Sequence, residues 1–397
     1  MVVDDSAVIR GFLTRYLEED PAIKVVSSAS NGVMALKNLA RTSVDVVVLD
    51  IEMPEMDGMT ALPKIREQDP TVKVVMASTL TKKNAEISLR ALQLGASDYV
   101  PKPETLRAVN ASLDFRRELV EKVKIYAAQR RREQGIPQPE GLNSSGQPRA
   151  AAVRPVAPAR TAGSERRAPV VVVARGRRQE VPAAQPETPA KSDRIVLRQP
   201  SLFPPEVLAI GSSTGGPQAL MKLLGAMDRK RLSAVPIAIV QHMPPTFTGI
   251  LAEHLGRVSG LPAVEAADGM PFEKGRIHVA PGDYHMIIER DNKSAVVRLN
   301  QDPPENFCRP AVDPLFRSLA RSYAARTLAV VLTGMGHDGL RGARELVAAG
   351  ATIVAQDEAS SVVWGMPGAV ATAGLCAAVV SLDDMAGKLN AFLGGGR

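Results

Sequence analysis

Through the first 125 or so residues, short apolar runs alternate with stretches whose apolar positions recur at three- and four-residue spacing. "MVV", "KVVSSA", "VDVVVLD", "VKVVMAS" and "SDYV" predict strands. "SAVIRGFLTRYLEED", "NGVMALKNLART", "TALPKIREQ", "AEISLRALQLG" and "ETLRAVNASLDFRRELVEKV" predict the helices that follow them. Five strand-then-helix repeats imply a doubly wound parallel sheet, whose working crevice opens at the carboxyl ends of the strands. A second alternation fills the last 195 or so residues, where "VLAI", "VPIAIVQ" and "TLAVVL" are buried strands and "GRIHVAPGDYHMIIE" predicts a hairpin. No internal repeat joins the two halves.

The stretch between them has almost no periodicity. "PQPEGLNSSGQPR", "RPVAPAR" and "VPAAQPETPAKSD" are Pro- and Arg-rich and predict an extended, disordered linker, with "RRRE" counted in it and "VVVV" at 170–173 as a sticky patch. The expected fold is therefore α/β, with two doubly wound parallel-sheet domains. The expected divisions are 1–118, then 119–202 for a helix end and linker, then 203–397.

Charge refines this picture. The net charge is +7, and between Ala127 and Pro200 fourteen Lys and Arg face six Asp and Glu, so one segment carries more than the whole excess. The folded halves are then not basic, which argues against a DNA-binding output and for no nucleic-acid partner. Hydrophobic residues make up 45% and aromatics 4%, a mix that suits the aliphatic cores of parallel sheets. The start "MVVDDSAVIR" lacks a signal peptide's basic and apolar regions, and no apolar run reaches membrane-spanning length, so a cytoplasmic protein is expected. Cys308 and Cys376 have no metal-ligand spacing and read as ordinary reduced thiols.

Polar residues gather at the strand ends of the first half. Asp4 and Asp5 follow the first strand, Asp50 ends the third, Ser78 and Thr79 end the fourth, and Lys102 follows the fifth. Carboxylates crowded into one crevice repel one another and call for a divalent cation with oxygen ligands, Mg²⁺ above all. With a lysine opposite, such a site can move a phosphoryl group onto a carboxylate. Helix capping is the competing role for any one of these residues, but not for all of them at successive strand ends.

"VVDDSAVIR", "VVVLDIEMPEMDG", "VVMASTLT" and "DYVPKP" resemble the receiver domain of bacterial two-component response regulators, which has a flavodoxin-like sheet. The resemblance implies that Asp50 accepts the phosphoryl group from a histidine kinase. It implies that Asp5, Asp50 and the backbone carbonyl of Glu52 bind Mg²⁺, that Lys102 contacts the phosphate, and that Ser78 and Tyr99 form the switch pair. Receivers usually begin with several more residues in the first strand, so a start at "MVVDD" predicts a short central strand, from a misplaced start codon or a truncated and less stable sheet.

In the second half, "LAIGSSTGG" sets Ser213 between the end of a strand and the start of a helix, where free N–H groups stabilise an anion. A bound phosphate and the oxyanion of acyl transfer both fit that geometry. Residues 211–215 match the G-x-S-x-G pattern, too short to settle the matter. A serine nucleophile needs a base, and five histidines are present. His254 reads as a helix-surface residue, His278 and His285 as hairpin residues, and His337 adjoins Asp338. His242 ends the strand "VPIAIVQ" and so reaches the same edge as Ser213. Asp338, in the glycine-rich turn of "TLAVVLTGMGHDG", reaches that edge from a third strand and could cap the helix after it.

"IGSSTGG", "VQHMPPTFT", "HVAPGDYHM", "RPAVDPLFRS", "TGMGHDG" and "VVWGMPGAV" together resemble the catalytic domain of chemotaxis protein-glutamate methylesterases. That resemblance implies a Ser213, His242, Asp338 triad, an oxyanion donor near Met335, and no cofactor in this domain. It implies hydrolysis of glutamate methyl esters and deamidation of glutamines on chemoreceptors, with the membrane reached only through those receptors. The unphosphorylated receiver is then expected to cover the triad until Asp50 is phosphorylated. Arg309 and Trp364 are candidates for shaping the groove. The alternative is a response regulator whose output binds phosphate or a nucleotide through "SSTGGP", although the P-loop spacing is missing.

Overall fold

The computed structural model describes residues 1–79, 81–102, 113–136, 195–291 and 294–395. "VVVV" at 170–173 and the Pro-rich linker around it lie outside the described residues.

The N-terminal half is a five-stranded parallel sheet in the order β2-β1-β3-β4-β5. Its elements are β1 (Val2–Val3), α1 (Ala7–Glu18), β2 (Ser28–Ala29), α2 (Gly32–Leu39), β3 (Val46–Asp50), α3 (Gly58–Gln68), β4 (Lys73–Thr79), α4 (Lys82–Gln93), β5 (Asp98–Lys102) and α5 (Leu113–Glu133). Each of the first four helices begins with a side-chain cap, from Ser6, Asn31, Asp57 and Thr81 in turn. The central strand β1 is only two residues long, and of "KVVSSA" only Ser28 and Ala29 pair, opposite Val2 and Val3. The Ser27 carbonyl still accepts from Val2 N at 3.1 Å, and residues 24–26 lie outside the ladder.

The run "RRRE" is the last turn of α5, not linker. Arg130 is 5% exposed, donates to Val44 O at 2.7 Å and pairs with Asp69 at 2.8 Å and Asp45 at 3.3 Å. Arg131 pairs with Asp45 at 2.9 Å. These arginines anchor the helix to the sheet's lower edge, because a buried guanidinium must find acceptors for its five donors. Arg130→Met leaves the Val44 carbonyl without this donor and takes one cation from Asp69 and Asp45, which keep their bonds to Thr71 and Arg131; a loss of about 2–4 kcal/mol is expected as a lower urea midpoint followed by circular dichroism.

The C-terminal half is a seven-stranded parallel sheet, order β14-β13-β12-β6-β7-β9-β8, with a separate antiparallel hairpin β10-β11. Its strands are β6 (Val207–Ser212), β7 (Ile237–Gln241), β8 (Ala263–Glu265), β9 (Ile277–Val279), β10 (His285–Arg290), β11 (Ala295–Asn300), β12 (Thr327–Val331), β13 (Thr352–Gln356) and β14 (Ala378–Val380). Its helices are α6 (Gly216–Ala226), α7 (Arg229–Ser233), α8 (Phe247–Ser259), α9 (Val312–Ser322), α10 (Leu340–Ala348), α11 (Met366–Thr372) and α12 (Leu382–Leu393). Every residue of β6, β7 and β12 is buried, as expected for strands covered on both faces. The two-domain α/β architecture read from the sequence is the fold observed. His278 lies on β9 of the main sheet rather than in the hairpin, with its ring between the carbonyls of Ile237 and Pro271.

The halves pack directly. Helix α4 lies on α8, and the Tyr99 ring of β5 stacks on Phe247 with centroids 4.6 Å apart and planes 7° from parallel. His254 is buried in this contact instead of facing solvent, with Nδ1 3.1 Å from Gln93 Nε2. Gln218 donates to Ser97 O at 2.8 Å.

Candidate functional site

The two sites grow from strand ends. In the N-terminal half, Asp4, Asp5 and Asp50 bring carboxylate oxygens within 4.8 Å of one another. Lys102, at the end of β5, donates to Asp4 at 2.9 Å and to Asp50 at 2.6 Å. Burial, together with the charge of Asp4, pushes the Asp50 carboxyl up to about 6 against the pull of Lys102. The Lys102 ammonium, which burial alone would lower, is held above its ordinary value by Asp50 and Asp4. Strained carboxylates of this kind suit a hard divalent cation.

Asp4 thus belongs to the cluster beside Asp5 and Asp50. The Glu52 carboxylate turns away toward Lys83, 3.6 Å distant, which leaves its backbone carbonyl as the group considered. Ser78 is buried with its hydroxyl 2.9 Å from that of Ser88. Tyr99, on the strand that carries Lys102, sits in the interface with Phe247, and burial raises its phenol well above the ordinary value.

In the C-terminal half, β6 ends at Ser212 and α6 begins at Gly216. Gly215 takes φ +74° in the turn between them, the left-handed region where glycine is at no disadvantage. Ser212 is buried and donates to Gln241 Oε1 at 2.7 Å, while Ser213 is half-buried and faces a cavity. The Gln241 amide in turn donates to the carbonyls of Ser213 and His242, at 2.9 and 3.1 Å, which ties the ends of β6 and β7 together. Gln241 escapes the sequence reading, although a glutamine closing an otherwise apolar strand is a signal.

The loop after β12 presses against Ser213. A Cβ on Gly334 would stand 2.8 Å from Ser213 Cβ, so only glycine allows this approach. The approach brings Met335 to the same cavity. The Met335 and Thr214 amides donate to no group among the described residues.

His242 Nε2 is 2.7 Å from Asp338 Oδ2. Asp338 is 1% exposed and also accepts from the amides of Val312 at 2.6 Å, Asp313 at 3.1 Å and Gly339 at 2.9 Å, and from Asn306 Nδ2 at 3.0 Å. It therefore caps a helix, but that helix is α9, which is distant in sequence, not α10 which follows it. Burial would raise its carboxyl; His242 and the two α9 amides hold it below the ordinary value. The His242 side chain is 11% exposed, and its withdrawal from water alone would lower its pKa, yet Cys308 and Asp338 raise it to about 10.

Ser213 Oγ forms no hydrogen bond with the ring among the described residues. The ring nitrogen turned away from Asp338, Nδ1, is 3.3 Å from Cys308 Sγ. Cys308, which reads in sequence as an ordinary thiol, stands inside the site; Cys376 is buried elsewhere, and burial pushes it up to about 12. Among the remaining candidates, His285 bonds to Ala311 N and Pro303 O and His337 lines the cavity. Arg309 lines it too, paired with Asp283 at 2.6 Å, whereas Trp364 spends its N–H on Gln356 O.

The cavity is about 970 Å³. Ser213, His242, Met335 and Asp338 line it together with Arg117, Glu118, Glu121 and Lys122 of α5, so both halves contribute to its wall.

The response regulator receiver domain profile matches residues 1–114, and the CheB methylesterase profile matches residues 208–389. A protein-glutamate methylesterase/protein-glutamine glutaminase 1 of Paramagnetospirillum magneticum is 51% identical over 97% of this chain and 93% of its own. A protein of the same description from Rhodospirillum rubrum is 52% identical over 97% of this chain and 92% of its own. One from Azospirillum brasilense is 49% identical over 99% and 92%. With likeness of this degree running through almost the full length of both partners, the chain belongs to the CheB methylesterase family and joins a response regulator receiver domain to a methylesterase domain.

Proposed function

We propose that Ser213 is the nucleophile, His242 its base and Asp338 the group that orients and charges the base, in a phosphorylation-activated enzyme. It hydrolyses glutamate methyl esters and deamidates glutamines on chemoreceptors. The 2.7 Å His242–Asp338 pair beside a half-buried serine at a helix N-terminus carries this reading. In it, Ser213 Oγ attacks the ester carbonyl while His242 Nδ1 takes its proton. The oxyanion forms against the free amides of Thr214 and Met335. Collapse expels methanol, with His242 returning the proton; from glutamine the leaving group is ammonia. Water, activated by the same nitrogen, then frees the glutamate carboxylate.

The receiver supplies control. Asp50 accepts the phosphoryl group of a chemotaxis histidine kinase, with Asp4, Asp5, Asp50 and the Glu52 carbonyl suited to hold Mg²⁺, which would neutralise the transferred oxygens. Lys102 then exchanges its carboxylate partners for phosphate, and β5, which also carries Tyr99 against Phe247, transmits the change to the interface. No helix among the described residues is long and apolar enough to cross a membrane, and two free thiols fit a cytoplasmic enzyme that meets membranes through receptors.

The test is methanol release from methylated receptor membranes with and without acetyl phosphate and Mg²⁺. Wild-type protein should accelerate on adding the phosphodonor. Asp50→Ala should keep the basal rate and show no acceleration; acceleration in that variant excludes Asp50 as the acceptor.

A further inference from the structure

Cys308 occupies the atom that the mechanism needs. With the Asp338 carboxylate on Nε2, that nitrogen carries the ring proton, and the lone pair sits on Nδ1, the atom 3.3 Å from Cys308 Sγ. An S–H donated to Nδ1 fills this lone pair. A thiolate beside an imidazolium leaves Nδ1 protonated. Either way, Nδ1 cannot take a proton from Ser213.

The segment holding the thiol is built to keep it there. Glu305 and Cys308 exchange both backbone hydrogen bonds, at 3.1 and 2.9 Å, around a two-residue turn. Asn306 and Phe307 take φ +51° and +65°, the left-handed pair of a type I′ turn. Asparagine tolerates this conformation, but phenylalanine pays roughly 1–2 kcal/mol where glycine is the usual choice. Phe307 is nevertheless 89% exposed, with the Arg117 guanidinium of α5 over its ring, 5.4 Å from the centroid. Asn306 donates to Asp338 and to Asp313, and Arg317 of α9 clamps Glu305. One turn therefore touches the base, its acid partner and the receiver helix.

We propose that Cys308 is a positioning residue for His242: in the covered enzyme its thiol occupies Nδ1 and withholds the base from Ser213, and the 305–308 turn, held through Phe307 by Arg117, releases the base when the receiver helix departs. This rests on His242 being the base. The charged groups that face the ring are Asp338 and Asp313 from the α9 and α10 side, and Glu305 and Arg309 from the turn. His337 comes from the loop after β12, Arg341 from α10, and Arg117, Glu118, Glu121 and Lys122 from α5. Of these only Asp338 bonds the ring, so Cys308 is the removable brake.

The experiment measures methanol release from methylated receptor membranes between pH 6 and 10, using the full chain with and without acetyl phosphate and Mg²⁺. Wild type, Cys308→Ala, Cys308→Ser and Ser213→Ala are compared. Without phosphodonor, Cys308→Ala should move the rising limb at least one pH unit toward acid and raise the rate at pH 7 about tenfold or more. Cys308→Ser, with a hydroxyl still able to donate to Nδ1 but not to ionise, should lie between. With phosphodonor, the wild-type and Cys308→Ala profiles should converge. Profiles that superimpose without phosphodonor, or a uniform loss of rate in both Cys308 variants, overturn the brake. If Ser213→Ala is inactive in that case, the serine mechanism still stands; turnover by Ser213→Ala sinks the mechanism itself.

Discussion

Ser213→Ala is expected to lower methyl-ester hydrolysis by a factor on the order of 10⁴ to 10⁶, while Ser212→Ala stays within a few-fold of wild type. The two hydroxyls are neighbours in sequence but point into different environments. Ser212 is buried and committed to Gln241, so its loss removes one internal hydrogen bond, about 1 kcal/mol of stability. Ser213 is half-buried at the cavity, and its hydroxyl has no hydrogen-bond partner among the described residues. An acylating serine probe should label wild type and Ser212→Ala and leave Ser213→Ala unlabelled. Equal labelling of all three would remove Ser213 from its role.

Asp338→Asn should cost both turnover and stability, because one side chain serves both. Its carboxylate fixes the His242 tautomer and stabilises the imidazolium, a contribution worth a factor on the order of 10⁴ where an aspartate in this position becomes asparagine. The same two oxygens accept from three backbone amides, Asn306 and the ring. An asparagine would turn an NH₂ toward donors, and we expect a loss of about 2–4 kcal/mol in urea unfolding. The sign with pH follows from the lowered carboxyl. Its stabilisation is complete above about pH 4, the ordinary carboxylate value, and disappears as pH falls through the lowered pKa. Wild type and variant should therefore differ at neutral pH and converge in acid. A gap that persists unchanged into acid would assign the stability loss to another group.

Much of the site can be read along the chain because strand ends are local features. "VLAIGSS" and "VPIAIVQH" each show an apolar run that stops, and the first polar residues past the stop lie at a sheet edge whatever the rest of the fold does. The same holds for Asp50 after "VVVL" and Lys102 after "DYVP". Where local pattern failed, a distant partner had intervened. "KVVSSA" has strand composition, but pairing needs a neighbour, and β1 offers only Val2 and Val3. "RRRE" has linker composition, yet Asp45 and Asp69 give its arginines a structural task. His254 sits in a helix with a polar pattern, and a second domain buries it.

By itself the sequence determined the order of strands and helices, the two α/β halves, the edges at which Asp50, Ser213, His242 and Asp338 emerge, and the family to which those motifs belong. Only the tertiary structure decided how the emerging groups are wired: that Asp338 holds Nε2 of His242 while capping α9, that Cys308 holds Nδ1, and that α5 lines the same cavity as Ser213. Periodicity is set within a turn or two of chain, whereas the bonds on His242 join residues 66 and 96 positions apart. Such pairings come from the packing of whole elements, which no local pattern of apolar and polar residues encodes.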